Sequence, residues 1–316
     1  MPEGDTVLAA ANNLHQLLVG QPLVVGDLNW PSAPAEGLEG HTIVEVGAYA
    51  KHMLMRLDDD RTLRTHLRMD GTWRIVRPTA REARQVSGYV RAVLGTSQWT
   101  ALGYRLGLLD VFPTEREAET LAHMGPDILA DSSVPTPLLK RTAAEPQLRL
   151  APRYADERLR VPPSSLTEQG ARELAAGTIR YPAQQSGGRN AEVTDYGWRI
   201  GIARFAEVPP ERGIGETLLD QTVVSGIGTI HMAEALFAMG VNPWRAVGEV
   251  DVPRLLATAR ANMVRSSLNY PKGRVIHVHS RAGQQCHRCG HIIEVAEVGP
   301  ELKRRPAFFC PHCQPD

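Results

Sequence analysis

Four cysteines stand at a spacing that suits metal binding, and all lie within the last 31 residues of the chain. Cys286 and Cys289 form one Cys-x2-Cys pair, and Cys310 and Cys313 form a second pair after twenty intervening residues. Each pair offers two thiolates from one tight turn, and four thiolates suit a tetrahedral Zn²⁺. We therefore predict one structural zinc ion in a β-hairpin zinc finger at residues 284–316.

Disulfides and a thioredoxin-like redox site are less favoured uses of these cysteines, and the redox site is disfavoured because neither Cys-x2-Cys pair sits between a strand and a helix. Paired disulfides are unusual in a cytoplasmic chain, and the acidic start Met1-Pro2-Glu3-Gly4-Asp5 lacks the basic region of a secretory leader. The longest apolar stretch, Val223 to Val241, is interrupted by charged and glycine residues, so no transmembrane helix is expected. We predict a cytoplasmic protein with no membrane partner.

The cysteine-containing segment is basic, although the chain as a whole is neutral. Lys+Arg and Asp+Glu both number 35, which argues against a protein that coats polyanions over its whole surface. Between residues 272 and 313, however, seven Lys or Arg residues stand against three Glu. This local charge suggests contact with phosphate, although a solvated surface without a partner is the commoner explanation for such a segment.

A second candidate phosphate site is the tight turn Ser225-Gly226-Ile227-Gly228. Helical spacing of apolar residues predicts one helix from Ile214 to Val224 before it and another from Thr229 to Met239 after it. Glycines allow backbone N–H groups to approach a ligand, and the N-terminus of a helix attracts anions. We predict a helix-two-turn-helix that binds phosphate through Gly228 and Thr229, although such glycines also occur for packing alone.

The remaining sequence predicts an α+β, multidomain protein. The length of 316 residues and a hydrophobic content of 42% allow two sizeable cores. A helix from Asp5 to Val19 precedes a region of short β-like runs that is typical of a sandwich or barrel. We predict a catalytic helix-plus-β-sandwich domain at 1–130, a Pro-rich insertion or linker at 131–193 with one possible helix from Leu166 to Ala176, and the helix-two-turn-helix domain at 194–283. The predicted β-runs are His41–Tyr49, Met53–Leu57, Thr62–Leu67, Thr72–Val76 and Val90–Leu94.

Several motifs, taken together and in order, resemble the formamidopyrimidine-DNA glycosylase/endonuclease VIII family, specifically its endonuclease VIII branch. They are Pro2-Glu3-Gly4-Asp5-Thr6 at the start, Lys51-His52 inside a strand run, His66-Leu67-Arg68-Met69-Asp70-Gly71, Leu218-Leu219-Asp220-Gln221 before the glycine turn, and Arg305 to Gln314 around the last cysteines. The resemblance covers both ends of the chain and most of its length except 131–193. It implies damaged double-stranded DNA as the partner and therefore association with the nucleoid, and we expect a monomer.

The resemblance assigns chemistry to four residues. Removal of Met1 would expose the secondary amine of Pro2, which titrates at about pH 8, against about 10.4 for a lysine, and can form a Schiff base with the sugar. Glu3 would be the general acid that opens the sugar. Lys51 would contact the phosphate beside the lesion, and Arg305 would clamp phosphates and promote elimination. An ordinary surface role is the alternative for each, and Arg304 could substitute for Arg305.

The resemblance also implies how the enzyme reaches the base. A base extruded from the stack leaves a gap, and Met69 resembles the methionine that the family inserts there. Arg105 is a further candidate DNA contact. Thr229 departs from the family, which usually carries Asn after the glycine turn, but its hydroxyl can contact phosphate or cap the helix. The Arg-Arg-Phe-Gly wedge of the 8-oxoguanine branch is absent.

These residues predict a bifunctional DNA glycosylase and abasic-site lyase of base-excision repair that removes oxidised pyrimidines. An 8-oxoguanine-type enzyme is the first alternative. The second is a DNA-binding relative that has lost turnover and marks damage, which Thr229 and the insertion motivate. β-elimination alone and combined β,δ-elimination both remain open.

Overall fold

The computed structural model describes residues 2–31, 37–130, 196–270 and 274–316, with backbone only for 196–200. The described residues separate into two compact units, one that ends at Ala122 and one that begins at His123. The segment 131–193, with its predicted helix Leu166–Ala176, lies outside the described residues, and the predicted domain limits stay predictions. No helix in the described ranges is long and apolar enough to cross a membrane.

The first unit is a β-sandwich with one long helix, as the sequence predicts. Helix α1 spans Gly4–Leu18, and it packs with two four-stranded antiparallel sheets around one core that contains Leu14, Met55 and Leu94. One sheet has the order β1 (Val25–Leu28), β6 (Val90–Gly95), β7 (Thr100–Tyr104), β5 (Thr72–Val76), and the other β2 (Ile43–Tyr49), β3 (His52–Leu57), β4 (Arg61–His66), β8 (Leu108–Pro113).

Short helices that the sequence pattern does not predict complete this unit. They are α2 (Arg81–Arg84), a 3-10 turn at Thr114–Arg116 and α3 (Glu117–Leu121). The fully buried Glu117 carboxylate accepts two hydrogen bonds from Arg56 on β3, at 2.9 and 2.7 Å, and one from the Thr62 hydroxyl. A long-range ion pair therefore holds α3 in place, which local periodicity cannot reveal.

The second unit is helical and ends in a β-hairpin. Helix α6 lies at its centre and contacts α5, α7 and β10. Its elements are α4 (Tyr196–Ala206), α5 (Ile214–Leu219), α6 (Thr229–Met239), a 3-10 turn at Val247–Glu249, α7 (Val252–Leu268), β9 (Glu294–Val298), a 3-10 turn at Glu301–Lys303 and β10 (Arg305–Phe309). Strands β9 and β10 pair antiparallel and bring the two cysteine pairs together.

The prediction that the helix at Ile214 continues to Val224 is wrong, because α5 ends at Leu219. Asp220 leaves the helical conformation, and its carboxylate accepts hydrogen bonds from the N–H and the hydroxyl of Thr222, at 3.0 and 2.6 Å. An aspartate that bonds to the backbone two residues ahead offers the chain a turn in place of another helical residue.

Candidate functional site

Glu3 is a buried carboxyl at the very start of α1. Its backbone is extended, as at a helix N-cap, and its carbonyl accepts the N–H groups of Thr6 and Val7 at 3.0 and 3.1 Å. The side chain makes no capping hydrogen bond, and the residue is 0% exposed. A carboxyl that is fully buried without acting as the cap is a candidate for proton transfer. Pro2, which precedes it, is partly exposed.

Two contacts fix how α1 lies along β2. Gly20, just past the helix, donates its N–H to the carbonyl of Ile43, and Nδ1 of His15 lies 3.2 Å from the backbone of Val46. The two elements therefore run in opposite directions. From His15 back to Glu3 the helix rises about 18 Å, and β2 continues from Val46 to Tyr49 for about 10 Å before the turn that carries Lys51. The start of α1 and the Lys51 turn therefore lie toward the same end of the first unit.

Lys51 lies in this turn, and the expectation that it stands inside a strand is wrong. Tyr49 pairs with His52, so Ala50 and Lys51 form a two-residue connection between β2 and β3. Ala50 is buried and has a left-handed φ of 55°, which costs a non-glycine residue roughly 1–2 kcal/mol. A strained turn of this kind orients the side chain that follows it, and strain is often found at functional positions.

His66 is a neighbour of Lys51 to which the sequence reasoning gave no role. It pairs across the sheet with His52, and its Nδ1 accepts the backbone N–H of Arg68 at 2.8 Å. Burial and the positive charges of Lys51, Arg68 and Arg64 lower its pKa from 6.5 to about 4. The ring is therefore neutral at physiological pH. The low pKa reflects a cluster of cations beside the Lys51 turn, and this cluster would attract a phosphate.

This pKa gives the protein a pH-dependent stability. Because the folded value lies below the unfolded one, the unfolded chain binds more protons between pH 6.5 and 4, so stability should fall as the pH falls through that range. The loss is at most about 3 kcal/mol, and less because the ring is partly solvated. Urea unfolding at a series of pH values should show a flatter dependence in His66→Asn, whose amide oxygen can still accept the Arg68 N–H. An unchanged dependence would show that His66 is not the titrating group.

Met69 and Arg105 occupy two loop tips that meet in one exposed patch. Met69 is 65% exposed, in a turn that Gly71 closes by donating its N–H to Leu67. A Cβ on Gly71 would lie 2.4 Å from the Leu67 carbonyl oxygen, so this turn requires glycine. Nη1 of Arg105 lies 4.0 Å from a carboxylate oxygen of Asp70, next to Met69. The structure therefore brings these two predicted DNA contacts together.

Tyr89 belongs to the same patch, although no sequence motif includes it. Its carbonyl accepts the N–H of Arg105 at 2.8 Å, and the Arg105 guanidinium lies 4.6 Å from the centre of its ring. The ring is on a residue that is 59% exposed. Arg105 has a left-handed φ of 47°, and the cation–π contact helps to hold this unusual loop conformation.

In the second unit, the glycine turn is held by Gln221. Its amide nitrogen donates to the carbonyls of Leu219 and Ile227, at 3.1 and 3.0 Å, and its amide oxygen accepts the N–H of Gly226 at 3.1 Å. Gly226 has a φ of 97°, which favours glycine. One side chain thus closes the turn between α5 and α6, which explains the place of Gln221 in the motif.

Gly228, and not Thr229, is the N-cap of α6. Thr229 is the first helical residue and is only 5% exposed, so the expectation that its hydroxyl could cap the helix is wrong. The hydroxyl oxygen instead lies 3.5 Å from Nε2 of His279. His279 also contacts the ring of Phe308 at 4.9 Å between centroids, so it connects the helix start to the β-hairpin.

Glu234, inside α6, fixes the segment that carries His279. Its buried carboxylate accepts the backbone N–H groups of His277, Val278 and His279 at 2.8 to 3.0 Å. Although burial opposes it, these bonds and that of the His277 ring lower the pKa of Glu234 below its ordinary value. At the other end of α6, the Arg288 guanidinium donates to the Phe237 carbonyl at 3.1 Å. The hairpin is thereby attached along the whole helix.

The four predicted metal ligands converge. The sulfurs of Cys286, Cys289, Cys310 and Cys313 all lie within 4.8 Å of one another, with Cys289 and Cys310 at 3.5 Å and Cys286 and Cys313 at 4.0 Å. Four sulfurs at about 2.3 Å from one zinc ion stand about 3.8 Å apart, so the set fits such an ion. Burial opposes it, but backbone N–H groups of Arg288 and Cys289 lower the pKa of Cys286 to about 7.

Arg304 and Arg305 differ in their surroundings. Both are exposed, but Arg304 forms an ion pair with Glu297 at 3.3 Å. Arg305, the first residue of β10, makes no ion pair with any residue in the described part of the chain. An anion that binds its guanidinium therefore displaces no carboxylate of a described residue.

The sequence is similar to known proteins that belong to one family of enzymes. Residues 1–105 match the formamidopyrimidine-DNA glycosylase N-terminal domain. The chain is 30% identical to a probable endonuclease 8 2 of Streptomyces coelicolor, over 99% of this chain and 94% of that protein. It is 27% identical to a DNA-(apurinic or apyrimidinic site) lyase Nei2 of Mycolicibacterium smegmatis, over 99% of each.

The fold is also found among solved structures. A crystal structure of Lactococcus lactis formamidopyrimidine-DNA glycosylase, bound non-covalently to DNA that contains an abasic site, matches the whole chain over its own whole length with a TM-score of 0.67. At 17% identity, this likeness shows the shared fold of helix, sandwich, helical unit and cysteine hairpin.

Proposed function

The chain belongs to the formamidopyrimidine-DNA glycosylase/endonuclease VIII family and is a DNA glycosylase and abasic-site lyase, and we propose that its nucleophile is the amine of Pro2. The observation that carries this proposal is the fully buried Glu3 directly after Pro2, at a helix start that lies toward the same end of the first unit as the Lys51 turn. A nucleophile, an acid and a cation then share one end of the first unit.

In the proposed reaction the lone pair of the Pro2 amine attacks C1′ of the damaged nucleotide. The bond from C1′ to the base breaks, and the base leaves with its electron pair and takes up a proton. Glu3 protonates the ring oxygen, the sugar opens, and an iminium forms between Pro2 and C1′. Because Pro2 is a secondary amine, this iminium has no N–H to lose and stays cationic, which acidifies the C2′ protons for β-elimination.

Lys51 and the cations near it hold the phosphate beside the lesion in this proposal. Lys51 is partly buried and follows the strained Ala50, so its side chain has less conformational freedom than that of a fully exposed lysine. Met69, with Arg105 and Tyr89 beside it, enters the gap left by the extruded base. Exposed apolar and aromatic side chains are suited to stacking against bases.

The second unit holds the backbone of the duplex in this account. Backbone N–H groups at Gly228 and the start of α6 bind one phosphate, with the Thr229 hydroxyl and His279 behind them. The four cysteines hold one structural Zn²⁺, which stabilises the hairpin that presents Arg305. We expect a single chain to bind double-stranded DNA in this way, as a monomer.

The two neighbouring arginines offer a matched test of this binding mode. Arg305→Ala should reduce the slope of log affinity against log salt concentration by about 1, because one phosphate contact is lost. Arg304→Ala should change the slope little, because that guanidinium is already paired with Glu297. Fluorescence anisotropy of an abasic-site duplex across a salt series measures both. A larger effect for Arg304→Ala would show that Arg304, and not Arg305, contacts the phosphate.

For the substrate, we propose oxidised pyrimidines. The Pro2-Glu3-Gly4-Asp5-Thr6 start and the absence of an Arg-Arg-Phe-Gly segment favour this branch, and the relatives named endonuclease 8 support it. Single-turnover excision on duplexes that carry either an oxidised pyrimidine or 8-oxoguanine should be faster on the pyrimidine by at least about tenfold, roughly 1.4 kcal/mol in the barrier. Faster release of 8-oxoguanine would place the enzyme in the other branch.

A further inference from the structure

Two histidines outside the four-cysteine set converge on one of its members. The rings of His291 and His312 stack at 4.2 Å between centroids, with an angle of 2° between their planes. One nitrogen from each ring and the sulfur of Cys289 lie within 4.8 Å of one another. Both histidines are exposed, and neither has a role in the proposed repair reaction.

The backbone of the two cysteine turns sets this arrangement. Gly290, with a left-handed φ of 81°, reverses the chain between Cys289 and His291, and the His291 carbonyl accepts the N–H of Cys286 at 2.7 Å. On the other side, His312 lies within the second turn, which is closed by a hydrogen bond from the N–H of Gln314 to the carbonyl of Cys310. The two imidazoles are therefore presented to each other by turns that are already closed.

We propose that Cys289, His291 and His312 form a second metal site, which binds a Zn²⁺ ion through a thiolate shared with the four-cysteine site. The inference rests on the proposed zinc at the four cysteines. Thiolate and imidazole are the ligands that zinc prefers, and three protein ligands leave the fourth position to water. A zinc ion bound by four thiolates has a net charge of −2, which attracts a further divalent cation to its edge.

The site forms after movement of the histidine rings. Ligands at about 2.0 to 2.3 Å from a tetrahedral ion stand roughly 3.3 to 3.8 Å apart, so the three atoms, now within 4.8 Å, must approach one another by up to about 1.5 Å. The nitrogen lone pairs lie in the ring planes, which are parallel in the stacked pair, so one ring must also turn out of the stack to face the ion. Both side chains are exposed, which leaves room for this rotation. Each imidazole contributes the lone pair of one nitrogen, and the Cys289 sulfur uses a second lone pair, so no bond in the first site has to break. We expect weaker binding than in the first site, because one ligand is shared and the ion remains open to water.

Zinc stoichiometry of the full chain tests the proposal. Protein that retains one tightly bound zinc is dialysed against a buffer of micromolar free Zn²⁺, and bound zinc is measured by atomic emission. The wild-type chain should hold two ions, and the double variant His291→Ala, His312→Ala should hold one. His287→Ala is the matched control, because this exposed histidine of the first turn bonds to Arg281 instead, and it should hold two.

Each other outcome has a defined meaning. A single ion in the wild-type chain, or two ions in the double variant, would overturn the second site. If the double variant retains no zinc, the four-cysteine site has been lost as well, and zinc is measured in the single variants His291→Asn and His312→Asn instead. The proposal stands only if each single variant holds one ion. A wild-type chain without any zinc would remove the proposed four-cysteine site, together with the inference that depends on it.

Discussion

The variant Glu3→Gln should lose base excision by at least about 10²-fold, because an amide cannot transfer a proton to the opening sugar. The glutamine side chain has the shape of the glutamate, and α1 begins through the backbone of residue 3 and not through its side chain. The fold should therefore be retained. Single-turnover release of an oxidised pyrimidine measures the effect. Cleavage at an abasic site that already exists should fall less, since its sugar opens in solution without an enzyme.

A matched control for Glu3→Gln exists in the same unit. Glu117 is also 0% exposed, but it pairs with Arg56 and lies on α3. Glu117→Gln leaves the buried Arg56 with a weaker partner, so the free energy of unfolding should fall, whereas excision per folded molecule should remain. If both variants lose excision equally, the change of any buried glutamate in this unit would be enough to lower excision. Glu3 would then not be the acid.

The second large effect is expected at Pro2. Pro2→Gly leaves an amine at the same position, but it is primary and its backbone is free to rotate. Without the ring that fixes its direction, the glycine amine is not held in position to attack C1′, so no Schiff base should form. We expect strand cleavage at an abasic site to fall below detection, with duplex binding retained because the proposed phosphate contacts lie elsewhere. Gel analysis of cleavage products together with anisotropy separates the two effects.

Local patterns were sufficient to predict much of this molecule. The cysteine spacing identified the four converging sulfurs, because each pair lies within one turn and the only long-range requirement is a hairpin. Alternation and acidic or glycine turns located five of the eight strands of the sandwich within a few residues, but not β1, β7 or β8. The first helix follows from Val7, Leu14 and Leu18, which recur on one face and are buried in the core.

The errors arose where one side chain overrides a local pattern. Apolar residues after Leu219 suggested a longer helix, but the Asp220 carboxylate bonds to Thr222 and ends it. Lys51 was assigned to a strand because nothing in the sequence shows that Ala50 adopts a left-handed conformation. The left-handed conformation of Ala50 follows from the pairing of β2 with β3, and this pairing is a property of the folded sheet.

The omissions concern partners that are distant in sequence. Glu234 lies in an apolar run, and a lone acid there is a signal of a buried, bonded carboxylate. Its partners at 277–279 lie more than forty residues later, so the sequence could not name them. Tyr89 joins Arg105 only through the sheet, since β6 and β7 pair antiparallel. Residues of this kind are found from contacts and not from motifs.

Borohydride trapping tests the central claim most directly. The chain, with Met1 removed, is incubated with a duplex that has one abasic site, and borohydride reduces any Schiff base to a stable covalent bond. The account predicts one adduct in the wild-type protein, located at Pro2 by mass spectrometry of the digested complex, and none in Pro2→Gly. An adduct that persists in Pro2→Gly, or that maps to Lys51, would contradict it, as would tight binding with no adduct.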